Sequence, residues 1–215
     1  MQKYFLTGIG TDIGKTIVAA TLVEAWEADY WKPVQTGDLS FGDSRKVRSL
    51  LSNPKSKIHP EAVMLRNGIS PHAAAPMDGT HIELKNFKLP ETDNHLLIES
   101  AGGVMVPLNQ KDLMVDLIEH LGCEVILVSR NYLGSINHTL LTVEFLNKRK
   151  IPIKGIIFND ETMYPACEEI ILSYTGLPCI GRIPRLSDIT PEVVRMIGQQ
   201  FKGLPEKWSK HDSVV

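Results

Sequence analysis

The chain has 215 residues, of which 43% are hydrophobic and 22% are charged, and its formal net charge at pH 7 is −2. These values are typical of one globular domain, and the small net charge disfavours a nucleic-acid or membrane-surface protein that acts through bulk charge. No apolar run approaches the length of a membrane span, and the three cysteines form no CxxC pair. We therefore expect a cytoplasmic protein with reduced thiols.

The first predicted elements enclose a glycine-rich loop. Residues 3–7 predict a strand, residues 15–28 predict a helix, and residues 8–16 between them read Gly-Ile-Gly-Thr-Asp-Ile-Gly-Lys-Thr. In this context the loop N–H groups and the helix N-terminus bind phosphate, Lys15 contacts the transferring group and the Thr16 hydroxyl holds Mg²⁺. The loop has one residue more than the usual spacing. The alternative interpretation is an ordinary glycine-rich turn.

The rest of the first half predicts short elements separated by polar loops. Residues 30–34 follow the first helix almost directly, and we expect the second strand to end near Lys32. Ser70 followed by Pro71 is typical of a helix start, with Ser70 as the cap. The remaining predictions are a helix at 44–51 and loops at 52–60 and 85–94.

Apolar runs alternate with helical stripes in the second half. Strands are predicted at residues 96–99, 125–128, 153–158 and 179–180. Helical spacing is seen in four sets, namely Met114, Leu117, Ile118 and Leu121; Ile136, Leu140 and Val143; Cys167, Ile170, Ile171 and Tyr174; and Val194, Ile197 and Phe201. The alternation predicts an α/β fold with a doubly wound, mostly parallel sheet flanked by helices, and ligand sites at the carboxyl ends of the strands. We expect one domain over residues 1–202 and a polar, frayed tail over residues 203–215.

Three charged side chains near predicted strand ends are candidates for chemistry. Glu99 is either a metal ligand or a strand-terminal acid on a solvated loop, and the small residues 101–103 leave room for a ligand and favour the metal role. Asp43 is equally well a metal ligand or a helix cap. Lys32 is either a solvated lysine or a cation that neutralises charge on a transferring phosphoryl group, and Thr36 could line the same cleft.

Two later strand ends carry weaker signals. The N–H groups at residues 133–138 could bind a carboxylate, although an ordinary turn capped by Ser135 or Asn137 is favoured on physical grounds. The Asn159 amide suits the edge of an adenine, and a turn residue is an equally supported alternative. The seven histidines show no metal-ligand spacing, and we assign them no metal role.

Six motifs in a fixed order resemble those of dethiobiotin synthetases, and the resemblance runs through most of the chain. The motifs are the loop at 8–16, which shares the family's extra residue, Lys-Pro-Val-Gln-Thr-Gly at 32–37, Ser-Pro-His-Ala-Ala at 70–74, Ile-Glu-Ser-Ala-Gly-Gly at 98–103, Leu-Gly-Ser-Ile-Asn-His at 133–138 and Asn-Asp at 159–160. Each motif alone is weak to moderate, but six in this order are highly specific.

The resemblance implies a P-loop NTPase fold and a ligase of biotin synthesis. Such an enzyme takes 7,8-diaminononanoate, CO₂ and MgATP and releases dethiobiotin, ADP and phosphate. In the family a substrate amine forms a carbamate, the carbamate oxygen attacks the γ-phosphate, and the second amine displaces phosphate to close the ring. The family is a homodimer, and its substrate carboxylate binds across the interface at the positions of Gly134, Ser135, Ile136 and Asn137.

The same resemblance assigns roles to residues. Lys15 and Lys32 would flank the reacting groups, and Thr11 and Thr36 would bind near the carbamate. The implied ligands of Mg²⁺ are Thr16, Asp43 and Glu99. The implied ATP site comprises Asp12, Ile13, Gly14, Lys15, Thr16, Ile17, Asp43, Glu99, Ser100, Ala101, Gly102, Asn159, Asp160, Pro184 and Arg185, with Asn159 reading the adenine.

The chain also departs from the family's usual pattern. Ile9 stands in place of Thr, Gly10 in place of Asp and Ser100 in place of Gly, and the link from the first helix to the second strand is short. We expect the loop changes to alter its support and its nucleotide selectivity, and Ser100 to narrow the space beside Glu99. None of these changes removes a residue that the chemistry requires.

Three other functions are disfavoured. A partition-type ATPase of the same fold group carries a signature lysine where this chain has Gly10. A GTPase needs an aspartate that the Asn-Lys-Arg-Lys run at 147–150 lacks. A non-catalytic nucleotide-binding protein would not need Lys32, Thr36 and Glu99 together.

Overall fold

The computed structural model describes residues 1–160 and 164–211. The strands in this part of the chain are β1 (Lys3–Gly8), β2 (Asp29–Trp31), β3 (Val34–Thr36), β4 (Ile58–His59), β5 (Val63–Leu65), β6 (Leu96–Gly103), β7 (Glu124–Arg130), β8 (Ile153–Asn159) and β9 (Cys179–Ile183). The α-helices are α1 (Lys15–Trp26), α2 (Asp43–Leu50), α3 (Pro71–Met77), α4 (Met114–Leu121), α5 (Ser135–Lys148), α6 (Pro165–Thr175), α7 (Pro191–Gly198) and α8 (Leu204–His211). Single turns of 3₁₀-helix lie at Leu84–Asn86, at the start of the predicted loop 85–94, and at Gln199–Phe201.

The main sheet of the described chain has seven strands in the order β4-β2-β6-β1-β7-β8-β9, and all its strand pairs are parallel. From β1 the chain forms β2 and β4 on one side and returns to place β6 between β2 and β1. It then crosses β1 to form β7, β8 and β9 on the other side, so the order of connections reverses beside β1. In such sheets the crevice at the carboxyl ends beside the switch point is the usual ligand site. The predicted α/β fold with a doubly wound sheet is confirmed.

The apolar strand sequences follow from burial on both faces of this sheet. On β1, Tyr4 and Leu6 pack into one core with α1 and α7, whereas Phe5 packs into the opposite core with α4. Because side chains alternate along a strand, a central strand covered by helices on both faces has no position that must be polar.

The first half differs from the prediction in three places. The main-sheet strand β2 ends at Trp31, next to the predicted end at Lys32, because Pro33 has no N–H to donate to a ladder. The first difference is that β3 follows as a separate strand and pairs with β5 in a two-stranded sheet. The predicted loop at 52–60 is wrong at its end, where β4 pairs with β2. Ser70 occupies the cap position of α3, but its side chain makes no cap hydrogen bond and its hydroxyl instead lies 3.4 Å from the Pro107 carbonyl oxygen.

The prediction of a frayed tail is wrong for residues 204–211, which form α8. The Trp208 ring packs edge-on against Tyr4, with ring centroids 5.1 Å apart, and against Trp26, at 6.0 Å. Burial of this indole surface stabilises a segment whose overall composition is polar. The rest of the predicted tail, residues 212–215, lies outside the described residues.

Three further observations concern the surface of α6, the thiols and the length of the helices. On α6 only part of the predicted apolar stripe is buried: Ile171 is buried, whereas Ile170 and Tyr174 are exposed. All three cysteines are free. No helix among the described residues is long and apolar enough to cross a bilayer.

Candidate functional site

The glycine-rich loop joins β1 to α1 at the carboxyl edge of the sheet. Gly14 precedes the helix with a φ of 84°, a conformation that favours glycine. A Cβ atom at Gly14 would lie 2.1 Å from Nδ2 of Asn159, which donates a hydrogen bond of 2.7 Å to the Ile13 carbonyl. The loop leads directly into α1, which begins at Lys15. The positively polarised N-terminus of the helix therefore adjoins the loop, which is the arrangement that binds phosphate.

A buried cluster of charges lies beside this helix start. The Lys32 ammonium is 2.6 Å from Oδ2 of Asp43 and 3.1 Å from Oε1 of Glu99, and it donates to the Ser100 carbonyl at 2.9 Å. The Thr16 hydroxyl lies 2.9 Å from Oδ1 of Asp43 and 3.0 Å from Oε1 of Glu99. The first turn of α1, the segment directly after β2, the first turn of α2 and the strand β6 thus contribute one side chain each to a single network.

This geometry excludes the ordinary interpretations of three residues. Lys32 is 4% exposed and Glu99 is 1% exposed, so neither is a solvated surface group. Gly42 occupies the cap position of α2, and Asp43 is the first residue of the helix. Its carboxylate is therefore directed to Lys32 and Thr16 and does not cap the helix.

Burial and the neighbouring charges shift the pKa values of the cluster in different directions. Burial lowers the pKa of Lys15 to about 8, although the Glu99 carboxylate opposes the shift. Burial would also lower the pKa of Lys32, but the attraction of Glu99 and Asp43 outweighs it and the pKa is raised. The pKa of Asp43 is lowered, because Lys32 outweighs the opposing effect of burial. Lys32 therefore remains a cation at neutral pH.

A cleft of ≈ 660 Å³ opens over this network. The predicted site residues that line it are Thr11, Asp12, Gly14, Lys15, Thr16, Ile17, Lys32, Thr36, Asp43, Glu99, Ala101 and Gly102. Lining residues that sequence reasoning did not single out include Gln35, Lys46 and Val106. One cleft therefore holds the two lysines, the two acids and both threonines that were expected near the reacting groups.

Several predicted residues lie outside the lining of this cleft. Ile13 and Ser100 are buried, and the Ser100 hydroxyl donates to the Gly102 carbonyl at 2.7 Å. Asn159 contacts the loop backbone, and Asp160 forms an ion pair with Arg130 at 2.9 Å. The remaining residues are Pro184 and Arg185 after β9 and Gly134, Ser135, Ile136 and Asn137 after β7.

The start of α5 is formed by Gly134 at the cap position, with a φ of 102°. The helix has no side-chain cap hydrogen bond, so the cap expected from Ser135 or Asn137 is absent. Leu133, immediately before it, is fully exposed.

Three residues that support the site were missed. Tyr30 donates its hydroxyl to Oε2 of Glu99 at 2.8 Å, and its position two residues before Lys32 on a strand was an available signal. The Gln35 side chain accepts from the Asp43 N–H at 3.2 Å and donates to the Gly37 carbonyl at 3.1 Å. Arg130 donates to the Asp12 carbonyl at 3.0 Å, and nothing in the sequence around it predicted this contact.

The oxygen atoms around Thr16 fit a magnesium ion. Mg²⁺ prefers carboxylate, hydroxyl and water oxygens, and usually takes one or two protein carboxylates together with substrate phosphates. Asp43, Glu99 and the Thr16 hydroxyl supply this donor set within mutual hydrogen-bond distance. Nowhere in residues 1–160 and 164–211 do three or more His, Cys, Asp or Glu side chains form a metal-binding group.

Comparison with known proteins identifies the family. A family model described as an AAA domain matches residues 2–193. The chain is 52% identical over 195 residues to the ATP-dependent dethiobiotin synthetase of Cytophaga hutchinsonii, which covers 90% of this chain and 94% of the relative. It is 48% identical over 201 residues to that of Christiangramia forsetii, covering 94% and 96%. The chain belongs to the dethiobiotin synthetase family.

Family membership confirms the resemblance drawn from the six motifs, and with it the assignment as an ATP-dependent ligase of biotin biosynthesis.

Similarity to solved structures supports the fold alone. The septum site-determining protein MinD from Pyrococcus horikoshii, complexed with Mg-ADP, has a TM-score of 0.62 at 15% identity and covers 100% of this chain and 99% of its own. A ParA family ATPase from Chlorobium tepidum has a TM-score of 0.55 at 14% identity, covering 98% and 99%.

Proposed function

We propose that this dethiobiotin synthetase closes the ring from 7,8-diaminononanoate, CO₂ and ATP in a Mg²⁺-dependent reaction that releases ADP and phosphate. The observation that carries the proposal is the convergence of Lys15 and Lys32 with Thr16, Asp43 and Glu99 in one cleft at the phosphate loop. A protein that only held a nucleotide would not need the second buried lysine beside the two acids.

The lysines serve to bring two anions together. A carbamate and a triphosphate repel each other, and preorganised cations in a water-poor site reduce this repulsion most where charge develops. The raised pKa of Lys32, maintained by Glu99 and Asp43 against burial, suits a fixed positive charge and not a general base. The threonines at 11 and 36 line the same cleft and would hydrogen-bond near the carbamate.

Thr16, Asp43 and Glu99 would hold the magnesium ion that accompanies ATP. The bound ion would supply further positive charge beside the β- and γ-phosphates. Lys32 interacts with the same two carboxylates, so the position of its ammonium depends on them. The agreement of the donor set with the preference of Mg²⁺ supports this assignment.

The nucleotide base would lie beyond the loop, on the β8 and β9 side. Asn159 ends β8 and Asp160 follows it, Pro184 and Arg185 follow β9, and both strands lie on the same side of β1. The Nδ2 atom of Asn159 already donates to Ile13, which leaves its amide oxygen available to an adenine amino group.

We further infer a cytoplasmic homodimer in which each copy completes the substrate site of the other. The start of α5 at Gly134–Asn137 does not line the cleft of its own chain. Leu133, Tyr132 and Leu141 expose apolar surface around this helix start, which a second copy would cover. The N–H groups of the first turn of α5 would then meet the substrate carboxylate.

The proposal is tested by the dependence of ADP release on the co-substrates. We expect ADP release with MgATP to require the diamine and bicarbonate together, because the γ-phosphoryl acceptor is the carbamate made from both. Turnover of ATP that is indifferent to the diamine would instead favour the partition-type alternative, and nucleotide binding without any turnover in the complete mixture would favour the non-catalytic one.

A further inference from the structure

Tyr30 is fully buried, and its hydroxyl donates to the Glu99 carboxylate at 2.8 Å. Glu99 uses its two oxygens differently. Oε2 accepts from Tyr30, whereas Oε1 lies 3.0 Å from the Thr16 hydroxyl and 3.1 Å from the Lys32 ammonium. Both carboxylate oxygens of Glu99 are therefore engaged in hydrogen bonds.

The sheet register explains why Tyr30 reaches this carboxylate. Tyr30 on β2 pairs with Leu97 on β6, and Glu99 lies two residues further along β6. Side chains two residues apart on a strand share a face, so Tyr30 projects to the same side of the sheet as Leu97 and Glu99. Lys32, just after the end of β2, reaches the same carboxylate. The strands β2 and β6 each pair with a neighbour on both sides, and Tyr30 and Glu99 are buried. The position of the phenol relative to the carboxylate is therefore set by the sheet.

The phenol can act only as a donor toward Glu99 while it keeps its proton. A phenol has an ordinary pKa of about 10 and keeps its proton at neutral pH, so the Tyr30 hydroxyl serves as the donor of this hydrogen bond. A carboxylate with one oxygen engaged in this way has less freedom to rotate its other oxygen out of the cleft.

We propose that Tyr30 is a positioning residue that orients Oε1 of Glu99 toward the magnesium ion of bound nucleotide. The inference rests on the proposed role of Glu99 as a metal ligand. Partners that orient metal ligands contribute to affinity even though they do not touch the metal, and their loss typically costs about 10–100-fold in metal affinity or activity.

The test compares three substitutions in the full-length chain. Tyr30→Phe keeps the ring and removes the donor. Tyr4→Phe is the matched control, because Tyr4 is also buried in the core but packs against Trp26 and Trp208. Glu99→Gln tests the metal role itself. Mn²⁺ is titrated into each enzyme–ADP complex and followed by electron paramagnetic resonance, and the Mg²⁺ dependence of ADP release is measured beside it.

We expect Tyr30→Phe to weaken Mn²⁺ binding about tenfold and to raise the Mg²⁺ concentration for half-maximal activity similarly, while Tyr4→Phe changes neither. A purely structural role would lower the melting temperature without moving the metal dependence. If Tyr30→Phe leaves the Mn²⁺ affinity unchanged while Glu99→Gln weakens it, the proposed role of Tyr30 is overturned and the metal role of Glu99 stands. Unchanged affinity in Glu99→Gln overturns the metal role of Glu99 and the inference that depends on it.

Discussion

Lys32 illustrates how a side chain can remain charged inside a protein core. It is 4% exposed, and two carboxylates and a backbone carbonyl surround its ammonium within hydrogen-bond distance. Removal of one member of such a network leaves the others buried and uncompensated. The sequence predicted Lys32, Asp43 and Glu99 as separate candidates, but their mutual contacts depend on the strand and loop geometry that brings them together.

Lys32→Ala should reduce the rate of dethiobiotin formation by about 10²-fold or more, because a preorganised charge in a dry site contributes several kcal/mol to the transition state. Lys111→Ala is the control, since Lys111 is exposed outside the cleft. Steady-state ADP release and a thermal melt of both variants measure the effect. A wild-type rate in a folded Lys32→Ala variant would remove Lys32 from the mechanism.

The lowered pKa of Lys15 predicts a pH dependence of nucleotide binding. Burial brings this pKa to about 8 in the free protein, and the phosphates of ATP should raise it again. The bound state then holds more protons than the free state above pH 8, so binding takes up protons and affinity falls as the pH rises through that value.

Calorimetric titration of ATP between pH 7 and about 9.5, in buffers of different ionisation enthalpy, measures this proton uptake. The uptake should disappear in Lys15→Met, which has no titrating ammonium. Uptake of equal size in that variant would assign the proton to another group.

At the level of elements, periodicity predicts structure only where a segment is long enough to show a period. The apolar strands β6, β7 and β8 and the helices between them were therefore recognised. The two-residue strand β4 and the three-residue β5 are too short to carry a pattern, and they form through pairing with distant strands. The helix α8 was missed because one tryptophan on a polar helix stabilises its docking.

Trp208→Ala should lower the free energy of unfolding by about 2 kcal/mol, which is less than the ~3–5 kcal/mol of a fully buried tryptophan because Trp208 is half-buried. Urea unfolding followed by circular dichroism measures the change. Tyr174→Ala on α6 is the control, since Tyr174 is 73% exposed and its loss should change stability by less than about 0.5 kcal/mol. Equal stability of the two variants would mean that α8 does not contribute to the core.

At the scale of the whole molecule, the parallel sheet explains why residues distant in sequence share one cleft. The strands β2, β6 and β1 lie side by side, with β6 in the middle. The loop after β1 and Lys32 after β2 therefore meet Glu99, which lies in the middle of the longer strand β6 and not at its end as predicted. This part of the site follows from strand order and was predictable. A single chain does not bring Gly134–Asn137 into its own cleft, and the proposed role of that segment depends on a second copy.

Leu133→Asp should convert the proposed dimer to a monomer and raise the KM for the diamine, because a fully exposed leucine at the proposed interface would become a buried charge. Light scattering coupled to size exclusion measures the mass. Met196→Asp on α7 is the control, because Met196 is 66% exposed on a different helix. A wild-type chain that is already monomeric at assay concentrations would contradict the shared site.

We propose that one cleft joins a carbamate made from CO₂ to the γ-phosphoryl group of ATP. The decisive measurement is mass spectrometry of the product formed from 7,8-diaminononanoate, ¹³C-bicarbonate and MgATP. We predict dethiobiotin that carries the ¹³C atom in its ring carbonyl, with one ADP formed for each product molecule. Release of ADP from the same mixture without a labelled cyclic urea would show that the cleft does not carry out this reaction.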